Sequence, residues 1–260
     1  MNNSEKKLRK GIYLLPNLLT TGALFAGFYA IVAATKDQFA WAAIAIIVAL
    51  FLDFFDGRIA RLTHTTSKFG AQYDSISDMV SFGVAPALVV YEWAFLHFSS
   101  LPWVWSKLGW LAAFFYTAAV ALRLARFNAR VTVTSKRYFQ GLPSPAAAAA
   151  LVGFIWTCHD MQLSREDFAI AALVLTILLG ALMVSNFTYY SFKDINLSDR
   201  IPYIVMLAVV LGFILISIDP PKLMFALFVV YALSGPVLYL VRLKRKRKRS
   251  ARATVNIENQ

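Results

Sequence analysis

Charge is scarce in this chain, and cysteine is nearly absent. Only 15% of the 260 residues are charged while 59% are hydrophobic, and the mean hydropathy is +0.60. A soluble domain of this length needs far more polar surface, so most of the chain must face lipid or other helices. The single cysteine, Cys158, excludes an internal disulfide framework and a cysteine metal cluster. No HExxH motif is present, which removes the familiar helical zinc site. Internal repeats and long linkers are missing as well, so nothing divides the chain into independent soluble domains. A cleavable signal peptide is not expected, because the first apolar block starts near Ile12 and outruns a signal's short apolar core.

What the sequence does contain is a series of apolar stretches of about 20 residues, the length that crosses a hydrocarbon core roughly 30 Å thick. Only helices and closed barrels satisfy their backbone groups in lipid, and these blocks lack a barrel's apolar–polar alternation. The expected fold is an all-α polytopic membrane protein of about eight transmembrane helices. The spans fall near 17–35, 39–56, 75–97, 107–128, 143–160, 168–189, 202–218 and 222–242.

Sorting the 26 Lys and Arg residues by side leaves only Lys36, Lys107, Arg165 and Lys222 opposite the crowded one. The positive-inside rule makes the crowded side cytoplasmic, with both termini there. The tail from Arg242 to Arg249 is almost continuously basic. Such a run can grip nucleic acid, but directly after a span it fits anionic lipid headgroups, so the expected partner is an anionic bilayer and no nucleic acid. Residues 1–16 mix lysines with Leu8 and Ile12 and form a basic, amphipathic juxtamembrane segment. Trp103, Trp105 and Trp110 read as an interfacial belt on the external side.

Ionisable groups at membrane depth are costly and need an explanation. Asp53 and Asp56 close the second span three residues apart, and Asp74 and Asp78 open the third four apart. Each pair shares a helix face. The short basic connection makes the two helices antiparallel neighbours, so four carboxylates converge near the cytoplasmic boundary. Cations relieve their repulsion, and oxygen donors suit hard divalent ions, Mg²⁺ or Mn²⁺, as two ions sharing one site. The plainer alternative is that these acids cap helices or pair with Arg58, Arg61 and Lys68. Gly57 and Gly70 let a phosphate approach the backbone, and Arg61 carries the fork-shaped donor set that phosphate recognition uses. His64, His97, His159 and Glu92 are left without a role.

The stretch Asp53-Phe-Phe-Asp56-Gly57-Arg-Ile-Ala60-Arg61, then eight residues, then Gly70-Ala-Gln-Tyr-Asp74-Ser-Ile-Ser-Asp78 resembles the signature of the CDP-alcohol phosphotransferase family at every fixed position. The resemblance implies a six-helix core over 17–189, followed by two additional helices in 190–242 and a basic tail at 243–260. It implies a two-metal site in which Asp53, Asp56 and Asp74 bind metal and Asp78 is both ligand and general base. Asn17, Thr20, Thr21, Gly57, Ala60, Arg61, Ser67 and Gly70 fall where the family binds CDP-diacylglycerol. Taken alone, Thr20 and Thr21 are ordinary helix hydroxyls bonding back to their own backbone. Three further stretches, Ser81–Pro86, Arg123–Asn128 and Gly141–Ala146, resemble the branch that transfers a phosphatidyl group to L-serine, which implies serine as acceptor and a homodimer. Arg123, Arg126 and Asn128 are then candidates for binding serine, with positive-inside anchoring as the competing role for the arginines. Two rivals remain: the same donor with glycerol 3-phosphate or inositol phosphate as acceptor, and a divalent-cation transporter. A transporter should hold its acids near the midplane on broken helices in paired repeats.

Overall fold

The computed structural model describes residues 3–63, 65–96, 103–130, 138–190 and 217–258. His64, His97 and all but the last two residues of the span expected at 202–218 lie outside the described residues, as do the side chains of Trp103 and Trp105. The described helices are α1 (Asn3–Ala34), α2 (Phe39–Leu62), α3 (Lys68–Asp78), α4 (Ala85–Trp93), α5 (Trp103–Arg130), α6 (Ser144–Asp160), α7 (Arg165–Val184) and α8 (Pro220–Glu258). Among the described residues, five stretches are long and apolar enough to cross a membrane: Leu15–Ala34, Phe39–Leu62, Lys107–Ala129, Arg165–Val184 and Pro220–Tyr239. The chain is therefore a helical membrane-embedded protein.

The third and fifth expected spans differ from simple crossings. The third is composite: α3 passes through π-helical turns at Met79–Val84 into α4. The fifth, α6, has only 17 residues. It is buried along most of its length, and Ala146 to Ala150 pack against neighbouring helices, as small residues in membrane bundles do. The all-α expectation also needs a small correction. Two three-residue strands, β1 (Tyr138–Gln140) and β2 (Thr188–Tyr190), pair antiparallel with Phe139 opposite Tyr189. They lie where the chain leaves α5 and α7 at the same end of the bundle, so each segment supplies the hydrogen bonds the other's backbone needs.

Small residues set the helix spacing. Ala23, Ala26, Ala30 and Ala33 of α1 are buried against Ala42, Ala45, Ile46 and Ala49 of α2. A Cβ on Gly27 would come 2.7 Å from the Ser81 Cα, so α1 approaches the π-helical turns backbone to backbone. At the end of the bundle away from the aspartates, Arg165 grips Asp37 with both nitrogens at 2.9 and 3.1 Å and lies over the Phe39 ring. This pair joins the α1–α2 turn to the start of α7.

Proline is accommodated twice by the same device. Pro86 has no N–H to offer the carbonyl four residues behind it, and the Phe82 oxygen instead accepts the buried Tyr116 hydroxyl at 3.2 Å. Pro236 likewise leaves the Ala232 oxygen without its helical donor, and the Tyr189 hydroxyl takes that place at 3.0 Å. Gly235 makes the second contact possible, since a Cβ there would sit 2.3 Å from the Tyr189 ring. Helix α8 is thereby fixed to the end of the bundle from which β2 emerges. Its opposite half packs on α6, where Gly153 lies against the Phe225 backbone.

Removing the Tyr189 hydroxyl as Tyr189→Phe should lower the thermal unfolding midpoint of the detergent-solubilised protein, by an amount equivalent to about 1–3 kcal/mol. In a Pro236→Ala background the helix regains its own donor, so the same substitution should cost markedly less. Equal costs in both backgrounds would show that the hydroxyl does not serve that carbonyl.

Candidate active site

Helix α1 is the spine on which the acidic residues are arranged. It packs against both α2 and α3, whereas α2 meets the third crossing mainly at its π-helical turns and α4. The two acidic helix ends are thus brought together around α1 rather than as a simple antiparallel pair. Buried Thr20 places its Oγ1 2.6 Å from Asp56 Oδ2 and 3.0 Å from the Pro16 carbonyl. On the other flank, Ser77 donates to the Thr20 carbonyl at 3.1 Å and Ser81 to the Ala23 carbonyl at 3.0 Å. These hydroxyls stitch the third crossing onto α1 one turn at a time.

The result is a carboxylate cluster. Oxygen atoms of Asp53, Asp56 and Asp74 all lie within 4.8 Å of one another, with Asp56 buried and the other two half-buried. Asp78 stands beside this trio, with Asp53, Asp74 and Arg123 among its electrostatic neighbours. Carboxylates this close repel one another unless a proton or a cation stands between them. Among the described residues the donor set is all carboxylate oxygen, which fits hard divalent ions.

The residues expected around the donor gather at the same end. A Cβ on Gly70 would lie 3.1 Å from Ser67 Oγ and 3.6 Å from Asn17 Oδ1, so α1 and α3 face each other there across a glycine. Ser67 caps α3 by accepting the Gly70 N–H at 2.9 Å. Gly57 stands beside the exposed Arg61, whose Nη1 would be 3.4 Å from an added Cβ. The Ala60 carbonyl accepts the Thr65 N–H at 3.0 Å and turns the chain after α2. Thr21 bonds back to the Asn17 carbonyl at 2.7 Å, as a lone helix hydroxyl does, and also meets the Tyr73 hydroxyl at 2.8 Å.

The three acceptor candidates on α5 have different surroundings. Arg123 reaches inward, with Nη1 2.9 Å from the Ser144 hydroxyl and a buried Nε that has no hydrogen-bond partner among the described residues. Arg126 turns to the backbone instead. Its guanidinium donates to the Gln140 carbonyl at 2.9 Å and to the Val184 carbonyl at 3.1 Å, with Met183 and Ser185 also in range. It thus caps the end of α7 and braces the turn at Gly141, which has φ +79° and backs onto the Met183 carbonyl. Asn128 donates to Ser75 Oγ at 3.0 Å, tying the end of α5 to α3 between Asp74 and Asp78.

Sequence reasoning passed over Tyr73, Ser77 and Ser144. All three stand inside stretches already singled out, so position within those stretches was the available signal. Tyr116 and Tyr231, both electrostatic neighbours of Arg123, look like ordinary apolar-span tyrosines and carry no such signal. His159 makes an edge contact with Phe39 at the far end.

Residues 13–187 match the family profile described as CDP-alcohol phosphatidyltransferase. The CDP-diacylglycerol–serine O-phosphatidyltransferase of Helicobacter pylori strain J99 is 32% identical over 240 residues, covering 92% of this chain and 98% of the relative. The protein of the same name from Methanocaldococcus jannaschii is 35% identical over 195 residues, covering 75% and 82%. That from Bacillus subtilis strain 168 is 32% identical over 179 residues, covering 69% and 91%. A profile spanning more than half the chain, over a fold that brings the motif's acids together, leaves one conclusion: the chain belongs to the CDP-alcohol phosphatidyltransferase family.

Proposed function

We propose that this protein transfers the phosphatidyl group of CDP-diacylglycerol to L-serine, giving phosphatidylserine and CMP. The observation that carries the reading is the set of Asp53, Asp56 and Asp74 oxygens within 4.8 Å of one another, with Asp78 an electrostatic neighbour of Asp53 and Asp74. The names of the relatives support the choice of acceptor.

Asp53, Asp56, Asp74 and Asp78 would hold two ions, Mg²⁺ or Mn²⁺, which would supply charge neutralisation at the diphosphate and at departing CMP. Asp78 accepts the proton of the serine hydroxyl as its oxygen forms a bond to phosphorus and the bond from phosphorus to the CMP oxygen breaks. Nothing in the chain demands a covalent intermediate, so displacement is direct. Arg61, exposed beside Gly57, binds donor phosphate with its planar fork. Ala60 and Gly70 keep the approach narrow and unobstructed. Asn17 and Thr21 line the nucleotide side, while Thr20 and Ser67 act through Asp56 and the Gly70 N–H. Arg123 receives the serine carboxylate through donors that its bond to Ser144 leaves over. Arg126 and Asn128 complete the serine pocket mainly by bracing it.

The architecture belongs to the same proposal. A juxtamembrane segment at 1–16 precedes the six-helix core at 17–189, two additional helices occupy 190–242, and a basic tail fills 243–260. Eight crossings put both termini and the aspartates on the cytoplasmic face of the inner membrane. The direction of α8, from Phe225 against Gly153 to Ala232 against Tyr189, supports that count. The tail meets anionic lipid, and the working unit is a homodimer.

Purified protein given CDP-diacylglycerol and Mn²⁺ or Mg²⁺ should release CMP with serine and not with glycerol 3-phosphate or inositol phosphate, and chelation should stop release. Release with one of the other acceptors and none with serine would overturn the acceptor assignment. Asp78→Asn should cut turnover by about a hundredfold or more while donor-induced thermal stabilisation survives; turnover like that of the unaltered protein would remove Asp78 as the base. Arg126→Lys replaces a fork by a point charge facing several carbonyls. It should lower the unfolding midpoint more than it raises the KM for serine, and the reverse order would return Arg126 to direct recognition.

A further inference from the structure

Helix α8 lies beyond residues 13–187, and nothing in the signature requires it. It nevertheless reaches the acceptor side of the site. Tyr231 is an electrostatic neighbour of Arg123, and its ring stands 5.7 Å from that of Tyr189. Tyr189 in turn holds the Ala232 carbonyl, the residue next to Tyr231, and its ring fills the space left by Gly235. One face of this helix turn is therefore fixed by a buried hydrogen bond and a glycine contact, and Tyr231 on the same turn is an electrostatic neighbour of the guanidinium.

Arg123 itself is incompletely served. Ser144 takes Nη1, and the buried Nε has no hydrogen-bond partner among the described residues. A cation held this way, half-buried and beside the carboxylate of Asp78, calls for an anionic or strongly accepting ligand to complete its hydrogen bonds. An acceptor carrying a hydroxyl and a carboxylate a few bonds apart meets both requirements at once. Its hydroxyl is directed to Asp78 and its carboxylate to Arg123. A phosphorylated acceptor would bring more negative charge to this position than one guanidinium matches.

The geometry points to Tyr231 as an acceptor-binding residue: helix α8 closes the pocket, with the Tyr231 hydroxyl and the open donors of Arg123 together holding the carboxylate of a small hydroxy amino acid. This rests on the reading of serine as acceptor and adds a second element of the chain to its recognition. Tyr189 and Gly235 are positioning residues for Tyr231. Among the described residues α8 packs mainly on α6 and β2, away from the helix ends that carry the residues placed around the donor, so loss of the Tyr231 hydroxyl should register on one substrate alone.

The test uses the full chain in vesicles containing anionic lipid, with CMP release followed at varied serine and varied CDP-diacylglycerol. Tyr231→Phe should raise the KM for serine about ten- to a hundredfold, the effect of one hydrogen bond to a charged group, and leave the KM for CDP-diacylglycerol unchanged. Tyr231→Ala should raise it further, and the unfolding midpoint of Tyr231→Phe should stay near that of the unaltered protein. An unchanged KM for serine in both variants overturns the proposal. So does a parallel rise in both KM values together with a fall in the unfolding midpoint, which marks a packing role. If the unaltered protein uses another acceptor, serine recognition falls for Arg123 and Tyr231 alike. A shift in that acceptor's KM in Tyr231→Phe would then separate the failure of the acceptor's identity from the failure of Tyr231 as a contact.

Discussion

Carboxylates that approach one another in an apolar chain repel, and the surrounding structure must hold them in place against that repulsion. Here the constraint is met through α1. The Thr20 hydroxyl fixes Asp56 from one side, and the Ser77 and Ser81 hydroxyls fasten the third crossing to the carbonyls of the same helix. The two acidic helix ends therefore do not depend on each other for position. Each is registered against a third element whose alanines and glycines allow close approach. What holds the acids together is also what makes the site rigid, and rigidity is what a divalent ion with strict geometry requires of its ligands.

The same logic of satisfied backbone groups runs through the rest of the bundle. In lipid a carbonyl released by proline has no water to turn to. Tyr116 and Tyr189 supply the missing donors from neighbouring elements, so each proline becomes a point of attachment between helices. Arg126 does comparable work at the end of α7, where the last carbonyls of the helix and that of Gln140 converge on one guanidinium. Long polar side chains at this end of the bundle thus serve the backbone first, and Arg123 differs by retaining a buried donor.

The two ends of the bundle are chemically distinct. The acids, the arginines of α5 and the strands β1 and β2 are at one end, and the Asp37–Arg165 pair closes the other. A site confined to one end suits chemistry on a lipid headgroup with a water-soluble acceptor, since the reacting groups meet at the surface and not at the midplane. A transit site for ions would instead place its acids midway, on interrupted helices in matching halves.

Much of this could be read from the chain alone. Hydropathy and the scarcity of charge determined the helical membrane class, because backbone groups in lipid permit few alternatives. The spacing of Asp53, Asp56, Asp74 and Asp78 determined which side chains share a face, because an α-helix repeats every 3.6 residues. Only the tertiary structure decided the remainder. It made α1 the intermediary between the acidic helices, broke the third crossing into α3, π-helical turns and α4, and paired Phe139 with Tyr189. It also separated Arg123 from Arg126, which lie three residues apart in the same helix yet face the Ser144 hydroxyl and a row of carbonyls respectively. Helical spacing predicts that two residues are neighbours, but the direction each guanidinium takes depends on which unpaired groups distant parts of the chain bring within reach. Tyr231 shows the same limit. Nothing local distinguishes it from other tyrosines in apolar spans, and its place near Arg123 follows from how Tyr189, Gly235 and the packing on α6 hold the last helix.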